Sequence, residues 1–113
     1  MKLFLALLAL LGAVLLASQL LFRSRAGEAR RWVAQEGALL LDVRSAQEFA
    51  AGHLPGAVNV PVSQLAAQVG TLGDKGRPVV VYCASGVRST RATSMLREAG
   101  FSRVLNLGIM SAW

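Results

Sequence analysis

The chain has 113 residues, with twelve basic and six acidic side chains, one cysteine and one histidine. One cysteine excludes an internal disulfide and a multi-cysteine metal site, and a single histidine beside it excludes a structural zinc, so neither a metal nor any other cofactor is expected. The net charge of +6 falls to +3 once residues 1–25, with Lys2, Arg23 and Arg25, are set aside; no basic stripe interleaved with aromatics marks a nucleic-acid partner, and a mild preference for small anions is the economical reading.

Leu3 to Phe22 is an uncharged stretch. As a helix it spans roughly 30 Å, the hydrocarbon thickness of a bilayer. A cleaved signal peptide needs a shorter apolar region and small residues before the cut. Cutting after Ala17 leaves Leu15 three positions before the cut, and cutting after Ala26 puts Arg23 and Arg25 in the cleavage region. The expectation is an uncleaved single-pass anchor with its basic flank at 1–25, contacting the membrane through residues 3–22, and one domain at 26–113. Arg23, Arg25, Arg30 and Arg31 follow the span and Lys2 precedes it. The positive-inside rule then places the domain on the cytoplasmic side, of the inner membrane in a bacterium, with the periplasmic orientation as the alternative.

Ser24 to Ala29 reads as a short polar linker, and Ala29 to Gln35 as a helical turn or two closed by Gly37. Ala38 to Val43 is an apolar run holding Asp42, the pattern of a buried strand. Ser45 to Glu48 has the S-x-x-E form of a capping box and opens a short helix. Gly52-His53-Leu54-Pro55-Gly56 is a turn cluster. Ala57 to Val60 predicts a short strand stopped by Pro61, and Ser63 predicts the cap of a helix with Leu65, Ala66 and Val69 on one face. Gly70 to Arg77 is a loop. Pro78 to Tyr82 is the most strand-like run, and its three valines suit a sheet covered on both faces. From Ser89 a helix carries Ala92, Met95, Leu96 and Ala99 on one face and ends at Gly100. Val104 to Leu107 is the last strand, followed by Gly108. Strands alternating with helices predict an α/β domain with a mainly parallel sheet, whose sites lie at the C-terminal strand ends. Asp42 and Cys83 both fall there.

The candidate site is the loop from Cys83 to Arg88. A thiol ends a strand and faces a helix N-terminus, where free N–H groups and the helix dipole favour an anion. Gly86 permits a positive φ, so successive amides can turn inward as a nest. Arg88 adds a fixed positive charge. Together these favour a thiolate, or a persulfide anion on the same sulfur.

The sequence resembles the rhodanese-like sulfurtransferases from about Ala29 to Trp113. The resemblance is carried by Leu41-Asp42-Val43-Arg44, Glu48-Phe49, Gly52-His53-Leu54-Pro55-Gly56-Ala57, Asn59-Val60-Pro61, the Tyr82-Cys83 loop through Arg88-Ser89, and Leu107-Gly108 with Trp113. It implies a three-layer fold and a cysteine that takes sulfane sulfur from a donor such as thiosulfate or a persulfide, holds it as a persulfide, and passes it to a thiol or cyanide. By that resemblance Cys83 is the nucleophile, the amides of Ala84, Ser85, Gly86, Val87 and Arg88 are the anion cradle, and Arg88 closes it.

The remaining motif residues read as structural support. Asp42 is expected to be a buried carboxylate tying loops together, Arg44 to pair with Glu48 four residues on, and His53 to make a local hydrogen bond in its turn. Trp32 and Trp113 read as packing or interfacial aromatics. A persulfide relay needs no general base once the thiol ionises. Three features depart from the family pattern: Ile109 where a second glycine is frequent, an end at Trp113 without a further helical turn, and a small neutral Ala84. Protein partners and the physiological donor and acceptor are not written in these residues. Two other readings remain. A cysteine-dependent phosphatase or arsenate reductase also closes its loop with arginine, but phosphatases place five residues between Cys and Arg where this chain has four. A non-catalytic docking module of the same fold is the other, and an intact cysteine loop argues against it.

Overall fold

The computed structural model describes residues 1–20 and 25–113 in full and the backbone alone for 21–24. Four strands form one parallel sheet in the order β2-β1-β3-β4: β1 Leu39–Asp42, β2 Val58–Asn59, β3 Val79–Cys83 and β4 Val104–Ile109. The helices are α1 Lys2–Gln35, α2 Ala46–Ala51, α3 Val62–Gln68 and α4 Val87–Glu98, with short 3-10 turns at Val69–Thr71 and Met110–Ala112. The expected α/β class with a parallel sheet is the observed one.

Alternation along the strands builds the layers. Leu39, Leu41, Val79, Val81 and Cys83 point to one face, where Leu65 of α3 and Ala92 and Leu96 of α4 cover them. Leu40, Val80, Tyr82, Leu105 and Leu107 point to the other, against Ala26 and Ala29 of α1. Helix, sheet and helix give three layers.

Four boundaries differ from expectation. Residues 25–29, expected as linker, continue α1 without a break, because Ala26 and Ala29 are only 4% and 0% exposed against the sheet. The expected linker residue Ser24 and the end of the apolar run at Leu21 and Phe22 have side chains outside the described residues. Helix α3 starts at Val62 with Pro61 at the N-cap, so Ser63 is inside the helix and caps nothing. The Val62 N–H donates to the Val43 carbonyl at 3.0 Å and the Gln64 N–H to the Pro61 carbonyl at 2.8 Å, so backbone acceptors take the place of a side-chain cap. Helix α4 starts at Val87, two residues before Ser89, with Gly86 at its N-cap. Strand β4 runs past Leu107 to Ile109 through a register shift: Val81 pairs with Asn106 and Tyr82 with Gly108. Gly108 sits at φ 86°, the conformation a glycine bulge requires. Beyond it the chain does make a helical turn, Met110–Ala112, which holds Met110 and Trp113 against the second core face.

Candidate active site

Cys83 ends β3 on the α4 face of the sheet and its side chain is fully buried. The loop Ala84 to Gly86 then turns the chain into α4. Gly86 adopts φ 96°, which an L side chain resists, and this left-handed step aims its N–H back at the sulfur. The Gly86 N–H reaches Sγ at 3.0 Å and the Ser89 N–H at 3.4 Å. Burial alone pushes the Cys83 thiol up. The Ser89 hydroxyl and the N–H groups of Ser89, Gly86 and Ser85 pull it down, and the net direction is below an ordinary thiol. Of the amides expected as the cradle, Ser85 and Gly86 act on the sulfur, and Ser89, one residue beyond the expected end, joins them. Sequence reasoning had given Ser89 no role at the sulfur; its signal was its place in the first turn of α4, where backbone N–H groups have no partner within the helix.

The Ser89 hydroxyl has one proton and several acceptors. It lies 3.0 Å from the Gly86 carbonyl and 3.4 Å from the Gly108 carbonyl, and within reach of Sγ. Donating to the Gly108 carbonyl clamps the loop to the β4 bulge; donating to the sulfur stabilises its anion.

Arg88, expected to close the cradle over the sulfur, pairs instead with Glu48. Its two terminal nitrogens meet the two Glu48 oxygens at 2.5 and 3.0 Å, a bidentate pair between α4 and α2. Glu48 also completes the capping box of α2, accepting from the Ser45 N–H at 3.0 Å while Ser45 Oγ accepts from the Glu48 N–H at 3.1 Å. Arg88 first, and the Ser45 backbone second, hold the Glu48 carboxyl down at about 2.

The expected Arg44–Glu48 pair is thus absent, because each side chain has a better-placed partner. Arg44 turns inward to Asp42, with Nη2 2.7 Å from Oδ2 and Nε 3.1 Å from Oδ1, and it donates to the Gly52 carbonyl at 2.6 Å. Asp42 is fully buried and Arg44 is 6% exposed. Asn59, which the sequence left without a role, donates to the carbonyls of Asp42 and Arg44. Asp42 is the loop-tying carboxylate the sequence suggested. His53 makes the local contact expected of it: Nδ1 lies 2.9 Å from the Phe49 carbonyl and its ring stacks on Phe49. Trp32 and Trp113 both pack, half-buried, on the α1 face, and the Arg103 guanidinium lies 4.6 Å from the Trp32 ring centroid.

A cavity of about 650 Å³ opens at the loop, lined by Ser85, Gly86, Val87, Gly108, Ile109 and Arg25. The Rhodanese-like domain family model matches residues 25–113. The chain belongs to the rhodanese-like domain family. Among rhodanese-like relatives, a sulfurtransferase of Allochromatium vinosum is 40% identical over 79 residues, covering 69% of this chain and 73% of its own length. The thiosulfate sulfurtransferase PspE of Escherichia coli is 33% identical over 95 residues, covering 83% and 84%. Two further bacterial relatives are longer, and the chain spans 55% and 58% of their length. Among solved structures, the human single-domain sulfurtransferase TSTD1 matches with a TM-score of 0.64 at 32% identity, over 77% of this chain and 87% of that one.

Proposed function

We propose that the chain is a membrane-anchored sulfurtransferase that carries sulfane sulfur as a persulfide on Cys83. The observation that carries this reading is the pair of N–H groups, from Gly86 and Ser89, converging on Sγ. They stabilise a negative charge on that sulfur, so no general base is required, and the same donors suit a persulfide whose charge lies one atom further out. The four-residue spacing between Cys83 and Arg88 favours a sulfur atom over a tetrahedral oxyanion. Relatives that are themselves sulfurtransferases support sulfur transfer in general.

With thiosulfate as donor, the Cys83 thiolate attacks the outer sulfur. The new S–S bond forms as the old one breaks, and sulfite leaves with the bonding pair. Cyanide or a thiolate then attacks the terminal sulfur and returns Cys83 as a thiolate. Arg88, paired with Glu48, fastens the start of α4 to α2 beside the loop. The apolar part of α1 is long and apolar enough to cross a membrane. It is the anchor in this reading, with residues 26–113 as the working domain on the cytoplasmic side.

The test uses the full chain in detergent, incubated with thiosulfate and read by intact mass. The expected result is a one-sulfur adduct, absent in Cys83→Ser, together with conversion of cyanide to thiocyanate. No adduct from thiosulfate, a persulfide or any other sulfane donor would overturn it and leave a docking module in its place.

A further inference from the structure

The direction of α1 decides what the active-site loop faces. At its C-terminal end, Glu36 pairs with Arg103 at 2.8 Å, just before β4 begins. At residue 25 the same helix lines the cavity with Ser85, Gly86 and Val87, at the far ends of the strands. Residues 25–36 therefore run antiparallel to the sheet, and the chain before them departs from the edge that carries Cys83. The 59 × 28 × 26 Å extents fit a rounded domain with a helix projecting from it. None of the apolar window of that helix is buried by the domain.

Chain connectivity makes the distance short. Phe22 ends the apolar run and Arg25 stands on the rim. Three residues reach at most about 11 Å even when fully extended. A bilayer's headgroup layer adds about 5–8 Å to each side of its hydrocarbon core. If Leu3 to Phe22 fills that core, the rim of the Cys83 loop lies in or against the headgroups.

The rim has the side chains for that place. Val87 is 75% exposed, more than any other large apolar side chain after the N-terminal helix. It stands at the first position of α4, directly on the loop. Half-buried Ile109 lies on the same cavity.

We infer that the edge of the sheet holding Cys83 is a lipid-contact surface, and that the sulfur acceptor is an amphiphilic thiol partitioned into the headgroup layer. This rests on the persulfide reading above. The Cys83 persulfide meets the acceptor thiolate at its terminal sulfur. The Cys83 S–S bond breaks with its pair staying on Cys83, and a new S–S bond forms on the acceptor, which leaves as a persulfide anion.

The test uses the full chain in vesicles of phosphatidylethanolamine and phosphatidylglycerol. A fluorescent thiol label is placed by Val87→Cys in a Cys83→Ser background. A second chain carries it by Lys75→Cys, on the exposed loop at the opposite strand ends. Lipids with a nitroxide on the headgroup should abolish emission at 87 and leave it at 75. In the same vesicles, unmodified protein should turn over a homologous series of alkanethiols with kcat/KM rising roughly fourfold per methylene, the partition gain of about 0.8 kcal/mol each. Protein that floats with the vesicles but is quenched at 75, or at neither site, overturns the inference. A rate independent of chain length overturns the acceptor class. Protein that does not float overturns the inference and the anchor together. Quenching at 87 with no adduct on Cys83 upholds the lipid contact and sinks the sulfur-transfer reading instead.

Discussion

At the scale of the residue, one proton on Ser89 separates two roles. If the hydroxyl donates to Cys83, replacing it with alanine removes a donor from the thiolate and leaves the Ser89 N–H in place. The thiol of Ser89→Ala should then titrate higher, moving toward the ordinary value of 9.0, as followed by the ultraviolet absorbance of the thiolate. An unchanged midpoint would place that proton on the Gly86 or Gly108 carbonyl and reduce Ser89 to a loop clamp. Glu48 offers a second titration. Its folded value of about 2 lies below the usual 4.5, so the Arg88 pair contributes stability that is complete above 4.5 and lost as pH falls through about 2. Thermal melts of Glu48→Gln should therefore lie below those of the parent chain near neutral pH and converge with them toward pH 2. A constant gap would show that the pair is not what Glu48 contributes.

At the scale of the element, two buried charges fasten the C-terminal end of β1 to the turn at 52–56. Hydrogen bonds that Arg44 donates to Asp42 hold it charged, above its already high value, against the cost of burial. Removing one partner strands the other in a dry site. Asp42→Asn should cost about 3–5 kcal/mol in denaturant unfolding, whereas an exposed pair costs far less. A loss below about 1 kcal/mol would mean that water reaches Arg44. The sequence showed these strands well, because their apolar runs are dense and bounded by Gly, Pro and Asp. It showed the Cys83 loop as well, since strand, small residues, glycine and arginine follow one another directly. It did not show Arg88 with Glu48. That contact spans forty residues, and only the sheet order brings α2 beside α4. The Arg44–Glu48 pairing suggested by spacing applies only on a continuous helix, and Arg44 precedes α2.

At the scale of the whole molecule, α1 is two things in one helix. Its first part is exposed and apolar, and its last third is the third layer of the domain. Composition hid this. The stretch from Ser24 to Ala29 is mostly polar or small and contains a glycine, so it reads as a linker. Yet Ala26 and Ala29 are small enough to bring the helix against β3 and β4. An anchor joined by a flexible linker would let the domain swing freely. With the anchor proposed above, a helix continuous with the core would tie the domain's orientation to the span and fix which edge meets the surface. The two arrangements respond differently to shortening. A chain beginning at residue 25 keeps the layer and should unfold cooperatively as a soluble protein. A chain beginning at residue 36 exposes Leu40, Val80, Tyr82, Leu105 and Leu107 together. A contiguous apolar face of that kind drives association. The shorter chain should therefore aggregate, or elute as an oligomer, and bind a hydrophobic dye that the longer one does not. Equal solubility and equal melting of the two would show that the layer contributes nothing.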